Sequence, residues 1–230
     1  MSVKEAIILA GGFGTRLQPV VSDVPKPMAP IADKPFLEIL IKRFSQKGIQ
    51  HFVISTGYKS SVIETYFKDR YSHIKISFSH EKEPLGTGGG IKLAMNKIIG
   101  DAALVMNGDT LFDVNLGKLN KFIPLKYPVI FVRKVQDVSL YGHFTLEGEH
   151  VLSYQEKTGI GAGFINGGVY FLPKDIFDLF ETEQNFSLEK DVFTYLNQNN
   201  PAFVIVSDGF FVDIGLPETY EMAQIMLPNI

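Results

Sequence analysis

Short apolar runs alternate with amphipathic stretches along the first half of the chain. Residues 6–10 (AIILA) form an apolar run that stops at two glycines, a pattern typical of a buried strand ending in a glycine loop. Apolar side chains then recur at helical spacing over residues 36–44, and residues 51–55 (HFVIS) return to strand character. These three segments predict a first βαβ unit.

The same alternation continues to about residue 123. The pattern predicts a helix over residues 62–67, a strand over 74–78, a helix over 91–99 after a glycine cluster, and a strand over 102–106. Strands that alternate with helices favour a parallel sheet covered on both faces. We therefore predict an α/β protein, Rossmann-like, with three α/β/α layers and a mostly parallel, mixed sheet.

After Pro128, predicted strands follow one another directly. No repeat, low-complexity tract or linker interrupts the chain, so we expect one domain over residues 1–230, with a soft boundary between halves of about 1–126 and 127–230. The second half is predicted to contain strands at 129–132, 143–146 and 151–154, a glycine-rich stretch at 159–168 leading into a strand at 169–172, helices near 175–180 and 188–198, a strand at 203–206 and a helix near 217–226.

Composition narrows the class of protein. The 230 residues are 45% hydrophobic and 20% charged with no cysteine, which excludes disordered and disulfide-stapled classes. The net charge of −3 and the lack of a long basic block argue against nucleic acid or anionic membrane as a partner. No apolar run approaches the roughly 20 residues of a membrane span, and no signal peptide is evident, so a cytoplasmic location is expected.

The first strand leads into GGFGTRL at residues 11–17, a candidate phosphate-binding loop. Gly11, Gly12 and Gly14 let the backbone approach an anion, and Arg16 can bind phosphate oxygens with two donors. The dinucleotide pattern GxGxxG fails because Leu17 stands at the third glycine position, and the P-loop pattern is absent. The glycines alone fit an ordinary tight turn equally well.

Ten residues further on, Lys26 stands between two prolines in PKPM. The prolines fix the backbone around the lysine, which favours a positioned cation over a freely solvated one. Together, GGFGTRL and PKPM resemble the signature of the sugar-1-phosphate nucleotidyltransferases, also called nucleoside-diphosphate-sugar pyrophosphorylases.

The resemblance extends over nearly the whole chain and implies a nucleotide site. EKEPLGTGG at residues 81–89 resembles the family segment that receives the nucleobase. The resemblance implies that Arg16 faces the β- and γ-phosphates and that Lys26 faces the α-phosphate. The implied nucleotide-binding residues are Leu9, Ala10, Gly11, Gly12, Gly14, Thr15, Glu81, Pro84, Leu85, Gly86 and Thr87.

The resemblance also implies a sugar-phosphate site and a Mg²⁺ site. Asp109, which is also an implied catalytic residue, and Asp213 match the two metal carboxylates, although either could instead stabilise a local turn. Lys157 is implied to meet the sugar phosphate, with a surface lysine paired to Glu156 as the alternative. The implied sugar-phosphate residues are Asn107, Gly108, Tyr141, Gly142, Glu156, Lys157, Asn166 and Gly168.

Three departures from the family pattern are visible. Leu216 stands where threonine is common, and Gly167 stands where alanine is common. The left-handed β-helix that many relatives carry is missing, so the chain resembles the catalytic core alone, with a sugar-binding elaboration in the second half of the fold.

The implied reaction joins a sugar 1-phosphate to the α-phosphorus of a nucleoside triphosphate. A phosphate monoester has a second pKa of about 6 and is mostly dianionic near pH 7, so the reaction needs no general base. The protein must hold two anionic reactants in line and neutralise charge. This agrees with a sequence that lacks cysteine, HExxH and GxSxG.

Glu81 bears on the choice of base. A carboxylate only accepts hydrogen bonds, which suits the adjacent N1–H and N2–H₂ donors of guanine, whereas glutamine suits the pyrimidines. The segment resembles those of GDP-mannose pyrophosphorylases and heptose-1-phosphate guanylyltransferases, which favours GTP. The alternative is that Glu81 faces solvent and that backbone groups around residues 85–88 select the base.

The sugar and the assembly are less constrained. The short core and PLGTGGGI most resemble the guanylyltransferases that act on D-glycero-α-D-manno-heptose 1-phosphate and make GDP-heptose for bacterial surface polysaccharides. The alternatives are mannose-1-phosphate guanylyltransferases and the uridylyl- or thymidylyltransferases that act on a hexose 1-phosphate. A non-catalytic nucleotide-sugar sensor would need losses among the charged residues, and a glycosyltransferase generally needs an Asp-x-Asp motif that is absent. The phenylalanines in residues 177–180 fit a core or an interface in a homo-oligomer.

Overall fold

The structure, a computed structural model, describes residues 3–157, 159–179, 183–196 and 201–227. The strands in these ranges are β1 Glu5–Ala10, β2 Pro30–Ile31, β3 Lys34–Pro35, β4 His51–Thr56, β5 Lys75–His80, β6 Ala102–Asn107, β7 Thr110–Phe112, β8 Val129–Val135, β9 His143–Glu147, β10 His150–Gln155, β11 Gly163–Pro173, β12 Phe203–Val206 and β13 Phe211–Asp213. The α-helices are α1 Phe36–Gln46, α2 Ser60–Phe67, α3 Gly86–Met95 and α4 Pro217–Met226.

One nine-stranded sheet runs through both halves of the chain, in the order β5-β4-β1-β6-β11-β8-β12-β10-β9. The first four strands in this order are parallel. Strand β11 runs antiparallel to β6 and β8, and its start also pairs with β9. The prediction of an α/β protein with a mixed sheet is confirmed, and every antiparallel pair of this sheet includes a strand of the second half.

The sheet is covered on both faces. Successive side chains of a strand point to opposite faces, and in β1 the buried Ala6 and Ile8 join one hydrophobic cluster while Ile7 joins the other. Residues of α1, α2 and α4 contribute to the first cluster, and residues of α3 contribute to the second. The core therefore lies in two layers around a buried sheet, as the three-layer prediction requires.

The prediction placed the third helix five residues too late, at 91–99. Helix α3 instead spans Gly86–Met95 and contains the glycine cluster. A Cβ on Gly88 would lie 2.2 Å from the Phe186 ring, and a Cβ on Gly89 would lie 2.6 Å from the Gln184 carbonyl oxygen. These glycines therefore allow a close approach of another segment and do not break the helix.

Three further predictions in the second half were wrong in detail. Strand β11 begins at Gly163, inside the predicted glycine-rich stretch, and continues through a register shift between Asn166 and Val169. In place of the helix at 175–180, the structure has a 3₁₀ turn at Ile176–Leu179. In place of the helix at 188–198, a π-turn at Leu188–Val192 precedes a 3₁₀ turn at Phe193–Tyr195, where β-branched and aromatic residues disfavour an α-helix.

The ends of these two predicted helices, at residue 180 and at 197–198, lie outside the described residues. Phe177 is buried in the second hydrophobic cluster. Across the described ranges, no helix has both the length and the apolar character that a bilayer span requires.

Candidate active site

Three loops of the candidate site share one edge of the sheet. Because β1, β4, β5 and β6 are parallel, their carboxyl ends meet at the same edge, where α/β proteins bind ligands. Residues 11–16 follow β1, Glu81 follows β5, and Gly108 and Asp109 follow β6. The topology thus brings together motifs that are far apart in sequence.

Two adjoining cavities open at this edge. The first, which we call the glycine-loop cavity, has a volume of about 310 Å³ and lies between residues 11–13 and residues 81–87. The second, which we call the tyrosine cavity, has a volume of about 330 Å³ and includes Tyr141 and Tyr154 in its wall. Thr87, Asn107 and Asp109 line both cavities, so the two cavities meet there.

Most of the predicted site residues line the expected cavity. The glycine-loop cavity is lined by the predicted nucleotide residues Leu9, Gly11, Gly12, Glu81, Pro84, Gly86 and Thr87, together with Gly108. The tyrosine cavity is lined by Tyr141, Gly142, Glu156, Lys157, Asn166, Gly168 and Asp213, and also by Arg16, which was expected beside the nucleotide phosphates and lines only this cavity. Five predicted residues, Ala10, Gly14, Thr15, Lys26 and Leu85, line neither cavity.

The glycine loop is fixed against the segment that carries Lys26. Gly14 adopts φ +62°, and a Cβ there would lie 2.7 Å from Cβ of Lys26, so both conformation and space require glycine. Lys26 begins a short 3₁₀ turn in which the Met28 amide donates to the Pro25 carbonyl at 2.7 Å. The lysine is therefore held in place, as the flanking prolines indicated.

Lys26 forms an ion pair with Asp109 where the two cavities meet. Their side chains are 15% and 25% exposed, and the Thr110 hydroxyl donates to Asp109 Oδ1 at 3.0 Å. Burial favours a higher pKa for Asp109, but the Lys26 ammonium and the hydrogen bonds outweigh it and lower the pKa below its ordinary value. Asp109 is thereby kept ionised.

Asp213 is brought beside Asp109 by a two-stranded ribbon. Strands β7 and β13 are antiparallel, Asp213 pairs with Thr110, and the Ile214 amide donates to the Asp109 carbonyl at 2.9 Å. Asp213 Oδ1 accepts from the Gly215 amide at 2.9 Å and from the Thr219 hydroxyl at 3.3 Å. Both carboxylates line the tyrosine cavity.

This pair of carboxylates has the oxygen donors that a hard divalent cation prefers. Among the described residues, no group of three or more His, Cys, Asp or Glu side chains forms a complete metal cage. A cation here would need oxygen atoms from a ligand or water, which is how phosphate-bound metal ions are commonly held.

Glu81 is turned into the glycine-loop cavity. Its Oε1 accepts from the Ser55 hydroxyl at 2.9 Å, and its Oε2 accepts from the Leu85 amide at 3.2 Å. A Cβ on Gly11 would lie 2.7 Å from Glu81 Oε1, and one on Gly90 would lie 2.9 Å away. The carboxylate therefore packs on bare backbone and retains lone pairs for a ligand, since each oxygen can accept more than one hydrogen bond.

Two exposed cations line the tyrosine cavity. Neither Arg16 nor Lys157 forms an ion pair with any residue that the structure describes. A Cβ on Gly215 would lie 4.0 Å from Arg16 Nη2, which places the guanidinium near the Asp213 loop. The arrangement leaves two positive charges available to an anionic ligand.

The far wall of the tyrosine cavity is tightly built. A Cβ on Gly142 would lie 2.0 Å from the Tyr154 hydroxyl oxygen, which excludes any larger residue. The Asn166 amide donates to the Gly142 carbonyl at 2.8 Å, and the Tyr154 hydroxyl donates to Glu156 Oε1 at 3.1 Å. Burial raises the pKa of Tyr154, and neighbouring Glu156 raises it further, so the phenol remains a donor.

Several lining residues were not singled out from the sequence. Phe13 lies in the middle of the glycine loop, where its position alone could have indicated a role. Glu189 had no local signal, because the contact that brings it to the site is with Thr87, 102 residues earlier. The other residues of this kind are Thr110, Leu140, Tyr154 and Thr219.

Comparison with known proteins agrees with this geometry. A family model described as nucleotidyl transferase matches residues 5–228. The D-glycero-alpha-D-manno-heptose 1-phosphate guanylyltransferase of Campylobacter jejuni is 44% identical over 220 residues, which are 94% of this chain and 96% of the relative. A probable mannose-1-phosphate guanylyltransferase of Oryza sativa is 36% identical over 94% of this chain and 62% of its own length.

A solved structure supports the fold as well as the family. HddC from Yersinia pseudotuberculosis, crystallised in complex with GMP-PN, superposes with a TM-score of 0.86 at 36% identity, covering 98% of this chain and all of that one. The sequence resemblance and the Rossmann-like fold are thus confirmed. The chain belongs to the nucleotidyl transferase family and is a nucleotidyltransferase.

Proposed function

We propose that this protein transfers GMP from GTP to a sugar 1-phosphate, giving a GDP-sugar and pyrophosphate. The observation that carries the proposal is the pair of cavities that meet at Asp109, which forms an ion pair with Lys26. One cavity has the bare backbone and the carboxylate that a guanine nucleotide needs. The other has cations without an ion-pair partner among the described residues, and hydrogen-bonding side chains for a phosphorylated sugar. The meeting point is where the α-phosphorus would react.

GTP binds in the glycine-loop cavity in this proposal. The Glu81 carboxylate accepts hydrogen bonds from N1–H and N2–H₂ of guanine, a pair of donors that uracil and thymine lack. Backbone amides of the glycine loop face the phosphates. The triphosphate extends past Asp109 to Arg16, on the wall of the adjoining tyrosine cavity, and Arg16 binds the β- and γ-phosphates, which become the leaving pyrophosphate. Lys26 lies at the α-phosphate.

The sugar 1-phosphate binds in the tyrosine cavity. Lys157 meets its phosphate, and Glu156, Asn166 and the backbone of residues 141–142 and 168 bind the hydroxyl groups of the sugar. Two observations support this role: Lys157 lines the tyrosine cavity, and it has no ion-pair partner within the described ranges. A cation without a protein partner at a cavity wall suits an anionic substrate.

The chemistry is an in-line displacement at the α-phosphorus. An oxygen of the sugar phosphate forms the new bond, the bond from the α-phosphorus to the bridging oxygen of the β-phosphate breaks, and pyrophosphate leaves with that oxygen. Because the nucleophile is already a dianion, no residue has to remove a proton. Lys26 and Arg16 act by neutralising charge and holding the reactants in line.

Asp109 and Asp213 fit Mg²⁺ by their chemistry and position. Both are carboxylates at one cavity wall, and the low pKa of Asp109 keeps its oxygens unprotonated. When bound, Mg²⁺ would supply charge neutralisation at the phosphates. Lys26 already balances the charge of Asp109 without a metal ion, and it would share that role with the cation.

D-glycero-α-D-manno-heptose 1-phosphate is the sugar substrate that we favour. The named activity of the Campylobacter jejuni relative supports it, since that relative matches this chain over nearly the full length of both. Mannose 1-phosphate is the second candidate, supported by the Oryza sativa relative. We further propose that residues 1–126 mainly bind the nucleotide, that residues 127–230 mainly bind the sugar phosphate, and that the protein acts in the cytoplasm, where GTP is available.

Pyrophosphate release tests the proposal. The purified protein is assayed with GTP, UTP, dTTP, CTP and ATP, each against heptose, mannose and glucose 1-phosphates, with and without Mg²⁺. We expect the highest kcat/KM with GTP, heptose 1-phosphate and Mg²⁺. Binding of GTP without pyrophosphate release from any pair would instead indicate a nucleotide-sugar sensor, and a preference for UTP or dTTP would overturn the guanylyl assignment.

A further inference from the structure

A segment from the second half of the chain is bound to the proposed base-binding loop. The Phe186 carbonyl accepts a hydrogen bond from the Gly88 amide at 3.0 Å, and the Phe186 amide donates one to the Leu85 carbonyl at 3.0 Å. Asn185 Nδ2 donates to the Pro84 carbonyl at 3.0 Å. We call residues 184–189 the docking segment, because these bonds fix it on the loop that begins α3.

Glu189 ends the docking segment, and one of its carboxylate oxygens is fully engaged. Its Oε2 accepts from the Thr87 hydroxyl at 2.6 Å and from the Ser187 hydroxyl at 3.0 Å. The Thr87 hydroxyl in turn accepts from the Leu188 amide at 2.9 Å. This small network fixes the orientation of the carboxylate, since the hydroxyl of Thr87 both donates and accepts.

The other oxygen, Oε1, has no hydrogen-bond donor within the described ranges, although Glu189 lines the tyrosine cavity. Glu189 also forms no ion pair with any residue described by the structure. A half-buried carboxylate without a cation depends on hydrogen-bond donors for its stability. The cavity is where a further donor would come from.

Glu189 acts on two phenols, of which Tyr154 lines the cavity and Tyr170 is buried and does not. Burial raises the pKa of Tyr154, and the charges of Glu156 and Glu189 raise it further, so this phenol lies near both carboxylates. Burial raises the pKa of Tyr170, and the charge of Glu189 raises it further, by more than any other charge does. This part of the cavity is acidic and suits a neutral ligand rich in hydroxyl groups.

We propose that Glu189 is a specificity-determining residue for the sugar, in which Oε2 is held by Thr87 and Ser187 while Oε1 accepts a hydrogen bond from a sugar hydroxyl. The inference rests on the proposed function, because it takes the tyrosine cavity to be the sugar site. It adds a second carboxylate to Glu156 at that site. It also connects the two proposed substrate sites, since Thr87, which holds the Glu189 carboxylate, lines both cavities.

The test compares Glu189→Gln and Glu189→Ala with the wild type, with Glu183→Gln as the matched control. Glu183 is exposed and lines neither cavity. Steady-state KM values are measured separately for GTP and for the sugar 1-phosphate. Each protein is also assayed with a set of sugar 1-phosphates that lack one hydroxyl group at a time.

We expect Glu189→Ala to raise KM for the sugar 1-phosphate about tenfold or more, with a smaller change for GTP and none in the control. The wild type should discriminate against one particular deoxy sugar, and that discrimination should disappear in Glu189→Ala. Glu189→Gln keeps the shape and one acceptor, so its KM for the sugar 1-phosphate and its discrimination against the deoxy sugar should lie between those of the wild type and of Glu189→Ala. Loss of a single hydroxyl preference is a result that a purely structural role would not produce.

The inference is overturned if every deoxy sugar is discriminated equally in the wild type and in both variants, even when KM for GTP changes. That result would make Glu189 only a brace for the base-binding loop. If Glu189→Ala does not fold, the nearly isosteric Glu189→Gln decides the question by the same comparison. Failure of the proposed function is recognised separately, because the wild type would then release no pyrophosphate with any sugar 1-phosphate.

Discussion

The two cavities are built in different ways. The glycine-loop cavity is formed by loops that follow parallel strands, and much of its wall is backbone, with the side chain of Glu81 as its main charged group beside the shared Asp109. The tyrosine cavity is formed by antiparallel strands and long connections, and its wall is mostly polar and charged side chains. The cavity proposed for the nucleotide depends mainly on backbone geometry, whereas the cavity proposed for the sugar phosphate depends on the choice of side chains.

This difference has a practical consequence. Substitutions in the first cavity should alter the discrimination among nucleoside triphosphates, and those in the second should alter the use of the sugar 1-phosphate. Only the residues at the junction and the proposed metal ligands should impair turnover with every pair of substrates.

The largest effect is expected at the two proposed metal ligands, Asp109 at the junction and Asp213 in the tyrosine cavity. Asp109→Asn and Asp213→Asn should each reduce kcat by about 100-fold or more, because each removes the charge of a proposed Mg²⁺ ligand while keeping the shape. Steady-state kinetics over a range of Mg²⁺ concentrations measures this loss, and circular dichroism checks the fold. Asp208→Asn, an exposed position that lines neither cavity, is the control. Wild-type Mg²⁺-dependent activity in either variant would remove that residue from the metal site.

The next effect concerns Glu81→Gln in the glycine-loop cavity. An amide NH₂ would face a guanine donor, so one charge-assisted hydrogen bond is lost and kcat/KM for GTP should fall about 10- to 150-fold. The kcat/KM for UTP should not fall. The ratio of kcat/KM for GTP to that for UTP is measured with saturating sugar 1-phosphate, beside Glu83→Gln as control, since Glu83 is exposed and outside the cavity. An unchanged ratio would mean that Glu81 does not read the base.

Lys157→Ala in the tyrosine cavity should have a smaller effect than Glu81→Gln, and the effect should fall on the sugar 1-phosphate and not on the nucleotide. KM for the sugar 1-phosphate should rise about tenfold, while KM for GTP should change little, because the lysine meets only the sugar phosphate. Separate KM measurements for the two substrates decide the point. Lys126→Ala, at an exposed position away from both cavities, should leave both values unchanged. Equal effects on the two substrates would return Lys157 to an ordinary surface role.

The smallest effect on catalysis is expected at Gly167, where the chain departs from the family pattern. A Cβ there would lie 2.4 Å from the Phe112 ring and 2.8 Å from the Phe131 carbonyl oxygen, so Gly167→Ala should destabilise the fold by about 1–3 kcal/mol through overpacking. Thermal unfolding measures this change. Phe112 packs edge-on against Phe211, which lines the tyrosine cavity, so any loss of activity should appear in KM for the sugar. A variant as stable as the wild type would contradict this account.

The first half of the fold was more predictable from the sequence than the second. Buried parallel strands such as β1 and β4 read as continuous apolar runs, and their carboxyl ends follow directly from the topology. The glycines of α3 were misread as a break before the helix, because their packing against residues 184–188 is a long-range contact with no local signal. The short 3₁₀ and π-turns after β11 were misread for a similar reason, since tertiary packing overrides helical periodicity there.

The site divides in the same way. Glu81, Asp109 and Lys26 lie in compact motifs directly after strands or between prolines, so the residue pattern was enough to select them. Glu189 reaches the site only through Thr87, 102 residues away, and no spacing rule connects them. The pairing of Lys26 with Asp109 was likewise absent from the sequence analysis, because it joins two motifs that are 83 residues apart.

The double variant Glu81→Gln/Lys157→Ala tests most directly whether base and sugar are recognised in separate cavities. Because neither residue lines the other's cavity, their effects should add. The GTP-to-UTP ratio should equal that of Glu81→Gln alone, and KM for the sugar 1-phosphate should equal that of Lys157→Ala alone. A GTP-to-UTP ratio that also depends on the residue at position 157, or a sugar KM that depends on the residue at position 81, would contradict the division into two sites.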